Sequence, residues 1–143
     1  MPYQRMDPAQ IKAFLRNPVR AAVLATTRPD GRSHATPIWF DFDGKDLVFN
    51  TGVDSVKGRN LAADPRLTLC VQDDQPPFSF AVVEGRAELV DDIDQVRRWA
   101  GRIGGRYMGA DRAEEFGARN GVPGELLVRV RIEKMTGAAD VSS

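Results

Sequence analysis

The sequence predicts a mainly β protein in which about six antiparallel strands form a closed or nearly closed barrel, with short helices around it. Three observations support this prediction. The 143 residues match the size of one domain, and short apolar or alternating runs recur between turn signals. Most runs follow one another through hairpin-length connections, which favours antiparallel pairing. We therefore expect a single domain over residues 1–143, with its core at about residues 8–137.

The first half of the chain predicts one helix and three strands. Asp7-Pro8 suits the start of a helix, because Asp can cap it and Pro fits its first position, and Asn17-Pro18 ends it. Pro29-Asp30-Gly31 and Asp43-Gly44 are the turns between the strands. Pro37 lies inside the second strand and indicates an edge or a bulge, because proline has no N–H to donate. The predicted strands are residues 21–27, 33–42 and 47–51.

The second half predicts three helices and three strands. Asp54 or Ser55 caps a short helix that runs to residue 63, and Asp64-Pro65 ends it. Helices at 91–107 and 110–119 follow, and strands are expected at 66–72, 78–89 and 126–133. The longest helix has one apolar stripe, which consists of Ile93, Val96, Ala100, Ile103 and Tyr107.

Charge and composition argue against several classes of protein. Twenty basic and twenty acidic residues balance, so a dedicated nucleic-acid partner is not expected. No apolar run approaches the roughly 20 residues of a membrane span, and the N-terminus lacks the apolar region of a signal peptide. We therefore expect a cytoplasmic protein that has no membrane partner. Cys70 has no second cysteine to pair with, and its apolar neighbours predict a buried position in a strand.

Side chains that carry catalysis or bind metals are scarce. His34 is the single histidine, and one His with one Cys cannot form the usual His/Cys metal site. The sequence has no nucleophile elbow, no Rossmann fingerprint and no P-loop. We identify no catalytic residue and no metal ligand, which indicates that any reactive centre comes from a cofactor.

Residues 51–60 are the strongest candidate for an anion site. They run from the end of a strand into a helix, whose N-terminus offers free N–H groups and the positive end of the helix dipole. Thr51 and Ser55 add hydroxyl groups, Lys57 adds a positive charge, and the planar group of Arg59 suits phosphate oxygens. A capped surface helix with solvated Lys and Arg fits equally well, and the spacing does not separate the two.

The interrupted strand at residues 35–40 is a second candidate. A broken strand exposes backbone groups that can bind the edge of a ring, and Trp39 and Phe40 would then line a flat pocket. Core aromatics packed around a bulge are the alternative, and the pattern alone favours that alternative.

The order of four segments resembles the pyridoxamine 5′-phosphate oxidase-like split-barrel superfamily and, within it, the flavin/deazaflavin-dependent oxidoreductases of the B type. The resemblance covers roughly residues 8–137 and implies a six-stranded antiparallel split β-barrel of the FMN-binding type. The segments are Thr26-Thr27-Arg28-Pro29-Asp30-Gly31, Thr36-Pro37-Ile38-Trp39-Phe40, Phe49-Asn50-Thr51, and Lys57-Gly58-Arg59-Asn60-Leu61 with Asp64-Pro65.

The resemblance implies a homodimer with the cofactor at its interface, and an enzyme that uses coenzyme F420, a deazaflavin, to transfer a hydride to an unsaturated small-molecule substrate. An FMN-binding oxidoreductase of the same fold and a non-catalytic F420 or flavin carrier are the alternatives. Lys57, with Ser55 and Arg59, would contact the phosphate, and residues 36–39 would lie along the ring. The implied cofactor-binding residues are Thr36, Pro37, Ile38, Trp39, Thr51, Ser55, Val56, Lys57, Arg59 and, from the other protomer, Pro77 and Phe78.

Two further expectations concern the extent of the ligand. The acidic tail of F420 needs basic surface beyond the phosphate, which Arg59, Arg66 and Arg119 would supply if they converge. Oxidation of pyridoxamine 5′-phosphate is not expected, because residues 136–143 lack the Arg-Leu-x-Pro stretch that ends the true oxidases.

Overall fold

The computed structural model describes residues 4–142, and these residues form eight strands and four α-helices. The strands are β1 (Gln4–Arg5), β2 (Ala22–Thr27), β3 (Ser33–Ile38), β4 (Asp41–Asp43), β5 (Asp46–Gly52), β6 (Arg66–Gln72), β7 (Phe80–Val90) and β8 (Glu125–Ala139). The helices are α1 (Pro8–Arg16), α2 (Val56–Ala63), α3 (Ile93–Met108) and α4 (Ala113–Asn120), with a 3₁₀ turn at Ala110–Arg112. No helix of this described part is long and apolar enough to cross a membrane.

All eight strands belong to one antiparallel sheet. Its order is β3-β2-β6-β7-β8-β5-β4, and β1 pairs with the far end of β8. β3 and β4 lie at opposite ends of this order, although only Trp39 and Phe40 separate them in sequence. The chain therefore passes from one edge of the sheet to the other within two residues, which brings the two edges together as in a split barrel. The predicted fold class is confirmed, with eight strands instead of six.

The predicted strand over residues 33–42 is in fact two strands, and α3 explains the break. The backbone N–H of Phe40 donates to the Tyr107 hydroxyl at 3.2 Å, and Arg106 donates to the Phe40 carbonyl. Side chains of α3 thus replace the bonds that a neighbouring strand would supply. Pro37 lies on β3, the edge strand of the sheet order, as its missing N–H predicts.

The barrel interior holds the main apolar core. Phe40 and Phe49 are fully buried there, and α1 covers the core with Ile11 and Leu15. A second cluster lies outside the barrel, where Trp99 of α3 packs with other buried residues against β5 and β8. That cluster consists of Val48, Val96, Trp99, Ile103 and Leu127.

Two predictions about burial are wrong. Ile93 is exposed although it shares the apolar stripe of α3, because it is the first residue of the helix and lies outside the cluster that packs on the sheet. Cys70 is exposed because it points to the outer face of β6, while its neighbours Leu69 and Val71 fill the core. The apolar run around Cys70 therefore did not reveal which face of the strand is covered.

Candidate cofactor site

The junction of β5 and α2 is fixed by two hydroxyl groups. Ser55 is the N-cap of α2, and its Oγ accepts a hydrogen bond from the Gly58 N–H at 3.0 Å. The same hydroxyl donates to the Gly52 carbonyl at 2.8 Å and lies 2.9 Å from Oγ1 of the buried Thr51. Both predicted residues are therefore at this junction, where their hydroxyls hold the turn.

The backbone of this turn presents an anion-binding surface. Within residues 4–142, the backbone N–H groups of Val56 and Lys57 have no hydrogen-bond partner. They are the first two residues of α2, and the capping hydroxyl of Ser55 accepts its bond from the Gly58 N–H instead. The free N–H groups add to the positive end of the helix dipole, and the half-buried Lys57 side chain adds a full charge. A Cβ at Gly58 would overlap the Gly52 carbonyl oxygen, so only glycine allows α2 to begin this close to β5.

Glu125 is an acidic neighbour of the same turn. It pairs with Gly52 across β5 and β8, and its Oε2 is buried without a hydrogen-bond partner in the part of the chain that the structure describes. Burial raises the pKa of the Glu125 carboxyl, and the charge of Lys57 opposes that rise. The turn thus holds one cation and one poorly solvated acid beside the free N–H groups.

A cavity of about 350 Å³ brings Lys57 together with three residues of the interrupted strand. Pro37, Ile38 and Trp39 line it, which joins the two candidate segments of the sequence in one site. The remaining lining residues are Ala21, Asn50, Ala100, Ile103, Gly104 and Asn120.

Trp39 forms a rigid wall of this cavity. Its ring stacks on Tyr107 with centroids 5.0 Å apart and planes 5° apart, and it meets the Phe116 ring edge to face with centroids 5.9 Å apart. The Tyr107 hydroxyl donates to the Arg20 carbonyl at 2.8 Å, so the stack is tied to the segment before β2. Trp39 nevertheless keeps 38% of its surface exposed, and that surface is available to a ligand or a partner.

A second cavity, of about 410 Å³, lies on the other side of α2. Val56 and Arg59 line it together with Arg28 and Arg32 from the turn between β2 and β3. The expected convergence of Arg59 with Arg66 and Arg119 is not seen. Arg66 forms a salt bridge with Asp64 at 2.8 Å, and Arg119 lies over the Phe116 ring.

The other predicted residues lie apart from the cavity beside Lys57. Thr36 is half-buried in β3 and does not line it. Pro77 and Phe78 belong to the loop between β6 and β7 and line neither cavity. Phe78 is 37% exposed, which leaves it free to contact another molecule.

Helices α3 and α4 also contribute to this cavity, and the sequence patterns did not predict their part in it. Ala100 and Ile103 belong to the apolar stripe of α3, and such a stripe does not by itself indicate a ligand cavity. A Cβ at Gly104 would overlap Phe116, so this glycine lets α4 pack closely and brings Asn120 to the cavity. Asn50 belongs to the segment Phe49-Asn50-Thr51, but the sequence gives it no role at the site. Its amide donates weakly to two carbonyls, those of Val96 and Leu126.

Comparison with known proteins gives consistent matches. A family model described as pyridoxamine 5′-phosphate oxidase matches residues 7–138. A pyridoxine/pyridoxamine 5′-phosphate oxidase from Myxococcus xanthus (strain DK1622) is 38% identical over 91 residues, which are 63% of this chain and 44% of the relative. This chain therefore spans less than half the length of the curated relatives that it matches.

Solved structures show the same fold over most of the chain. The conserved hypothetical protein Rv2991 from Mycobacterium tuberculosis superposes with a TM-score of 0.81 at 25% identity, over 94% of this chain and 86% of that protein. A protein described as an F420 reductase gives a TM-score of 0.71 at 27% identity, over 90% of this chain and 98% of that protein. On the match of the family model to nearly its whole length, the chain belongs to the pyridoxamine 5′-phosphate oxidase family.

Proposed function

We propose that this protein is an oxidoreductase that binds coenzyme F420 and transfers a hydride to an unsaturated small-molecule substrate. One observation carries the proposal: a single cavity places Lys57, beside the free N–H groups of α2, together with Pro37, Ile38 and Trp39. A phosphate beside a flat, partly apolar wall is the combination that a flavin-type cofactor requires.

The residues present suit such a cofactor. The phosphate would accept bonds from the N–H groups of Val56 and Lys57 and from the Lys57 ammonium, while Thr51 and Ser55 hold the turn in place. The ring would lie against Pro37 and Ile38. A volume of about 350 Å³ is at the lower end of ligand pockets, so the ring system and the phosphate beside Lys57 would fill it and the acidic tail would extend beyond it.

The protein need supply no acid, base or nucleophile of its own. When bound, the deazaflavin supplies the hydride chemistry. The chain's residues bind and orient the cofactor, and the apolar side chains of Ala100 and Ile103 exclude water from one side of the cavity. The stack of Trp39 on Tyr107 fixes the orientation of the Trp39 ring, which lines the same cavity.

The basic cavity beyond α2 favours F420 over FMN. FMN ends at its phosphate, whereas F420 continues into lactyl and glutamyl carboxylates. Arg28 and Arg59 line this cavity and have no salt bridge within residues 4–142. Asp30, the one acid in the lining, is paired with Arg32 at 2.9 Å, so the cavity keeps an excess of positive charge for carboxylates. Similarity to a protein described as an F420 reductase supports the same choice.

Titration of the purified protein with F420 and with FMN tests the cofactor. We expect F420 to bind and its reduced form to be oxidised in the presence of enones or quinones. Tight FMN binding without F420 binding would contradict the proposal. Pyridoxamine 5′-phosphate should be tested as a substrate of the FMN-loaded protein, because the curated relatives are described as oxidases of that compound. Binding of F420 without turnover of any acceptor would indicate a carrier.

We further propose that the protein acts as a homodimer. The outer face of the sheet carries a row of exposed or half-buried apolar residues, which are neighbours across four strands and are not covered by a helix of the described chain. The row consists of Pro37, Val23, Cys70 and Val82. Packing two such faces together would bury the row and bring Pro77 and Phe78 of each chain toward the other chain's cofactor.

A further inference from the structure

A third cavity, of about 540 Å³, lies between α1 and the hairpin of β4 and β5. It shares no lining residue with the two cavities beside α2. Its apolar floor consists of Phe42, Ile132 and Met135, all partly buried. The cavity is therefore separate from the proposed cofactor site and has an apolar surface of its own.

The rim of this cavity is strongly basic. Lys12, Arg16 and Lys45 line it, and none of them forms a salt bridge within residues 4–142. Asp46 is the one acid in the lining, and its carboxylate is paired with Arg131 at 3.2 Å and with Arg129 at 3.6 Å. The excess of positive charge is local, because the whole chain has equal numbers of basic and acidic residues.

The free cations face the floor from two sides. Lys12 and Arg16 lie one turn apart on α1 and share a face of the helix. The Arg16 guanidinium lies 4.8 Å from the centre of the Phe42 ring, so it is held against the floor. Lys45 comes from the hairpin between β4 and β5. A ligand on the floor would have positive charge on both sides.

We propose that this cavity binds a small amphipathic organic acid, with an apolar body on Phe42, Ile132 and Met135 and a carboxylate between Lys12 and Lys45. The volume lies within the usual range for small-molecule sites, about 300–1,000 Å³. The flexible Met135 side chain can adapt to the shape of the body. An inorganic anion would leave the floor unused, and an uncharged apolar molecule would leave the cations without a partner.

Calorimetric titration of the full chain with decanoate, decanol and inorganic phosphate tests this site. Decanoate is expected to bind more tightly than decanol, which has the same chain length without the charge, and more tightly than phosphate. The double variant Lys12→Gln/Lys45→Gln removes two exposed lysines of the rim and should weaken decanoate binding by about threefold to thirtyfold. Lys134→Gln removes an exposed charge of β8 outside the cavity and should have no effect.

The outcomes separate this site from the cofactor site. Equal affinity for decanoate and decanol, or unchanged affinity in the double variant, would overturn the proposal. Lys57→Gln should leave decanoate binding intact, and loss of binding in that variant would place the acid beside α2 instead. Lys12, Lys45 and Lys134 are exposed, so the thermal midpoints of their variants should stay close to that of the parent.

Discussion

At the scale of single residues, Lys57 carries the clearest consequence for cofactor binding. Its ammonium is the one full positive charge that lines the cavity of about 350 Å³ within the described residues. A charge-assisted phosphate contact contributes about 1.5–3 kcal/mol, so Lys57→Ala should weaken F420 binding by about 10- to 100-fold in a fluorescence titration. Lys45→Ala removes an exposed lysine outside this cavity and serves as the control. Unchanged affinity in the Lys57 variant would rule out the phosphate assignment.

Glu125 allows a prediction about pH. Burial raises the pKa of its carboxyl in the folded protein, so the folded state holds the proton more tightly than the unfolded state does. The charged carboxylate therefore costs stability once the pH rises above the usual Glu pKa, and this cost is absent at lower pH. Glu125→Gln should accordingly raise the urea midpoint near neutral pH, with the gain disappearing in acid.

The control for this comparison is Glu84→Gln, which changes an exposed glutamate of β7. Its urea midpoint should differ little from that of the parent at either pH. A gain for Glu125→Gln that persists in acid would have a cause other than the buried carboxylate. A loss at neutral pH would show that its attraction to Lys57 outweighs the cost of burial.

The same residues show how far the sequence alone could lead. Ser55 as a cap and Lys57 beside a helix N-terminus follow from local rules, and the structure places both at the start of α2. The grouping of Arg28 and Arg32 with Arg59 could not be predicted, because it depends on the turn between β2 and β3 lying beside α2. Residues far apart in sequence meet there because α2 packs against β2, where the Asn60 amide donates to the Thr26 hydroxyl at 3.1 Å.

At the scale of elements, the position of α2 depends on Gly58. A methyl group there would overlap the Gly52 carbonyl, so Gly58→Ala should push the start of the helix away from β5. We expect a loss of about 1–3 kcal/mol in the free energy of unfolding, together with weaker F420 binding, because the free N–H groups move with the helix. Urea unfolding and F420 titration of the same preparation measure both effects.

The matched control is Ala62→Gly, at an exposed position of the same helix. Glycine there costs about 1 kcal/mol through helix propensity alone and leaves the first turn in place. The Ala62 variant should therefore lose stability and keep its affinity for F420. Equal affinity in both variants would show that the close approach at Gly58 does not position the binding turn.

The break between β3 and β4 marks a limit of sequence reasoning about elements. Most strands and helices follow from alternation, helical spacing and turn residues. The break follows from bonds that Arg106 and Tyr107 of α3 make to the backbone of Phe40, more than sixty residues earlier in the chain. A local pattern that continues through residues 33–42 contains no sign of such distant partners.

At the scale of the whole molecule, the proposed dimer makes the apolar row on the outer sheet face its central contact. Val23 lies in the middle of this row and is 47% exposed in the single chain. In a two-fold dimer, Val23→Glu would place a charge from each chain in the contact. The variant should sediment as a monomer at concentrations where the parent sediments as a dimer.

The Val23→Glu variant also tests whether the partner chain contributes to the cofactor site. Ile93→Glu introduces the same charge at another exposed apolar residue, on α3 and away from this sheet face, and should leave the dimer intact. If Pro77 and Phe78 of one chain complete the site of the other, the Val23 variant should lose F420 affinity along with its partner. A monomer that binds F420 as tightly as the dimer would show that one chain forms the whole site. A Val23 variant that remains dimeric would instead exclude this sheet face as the interface.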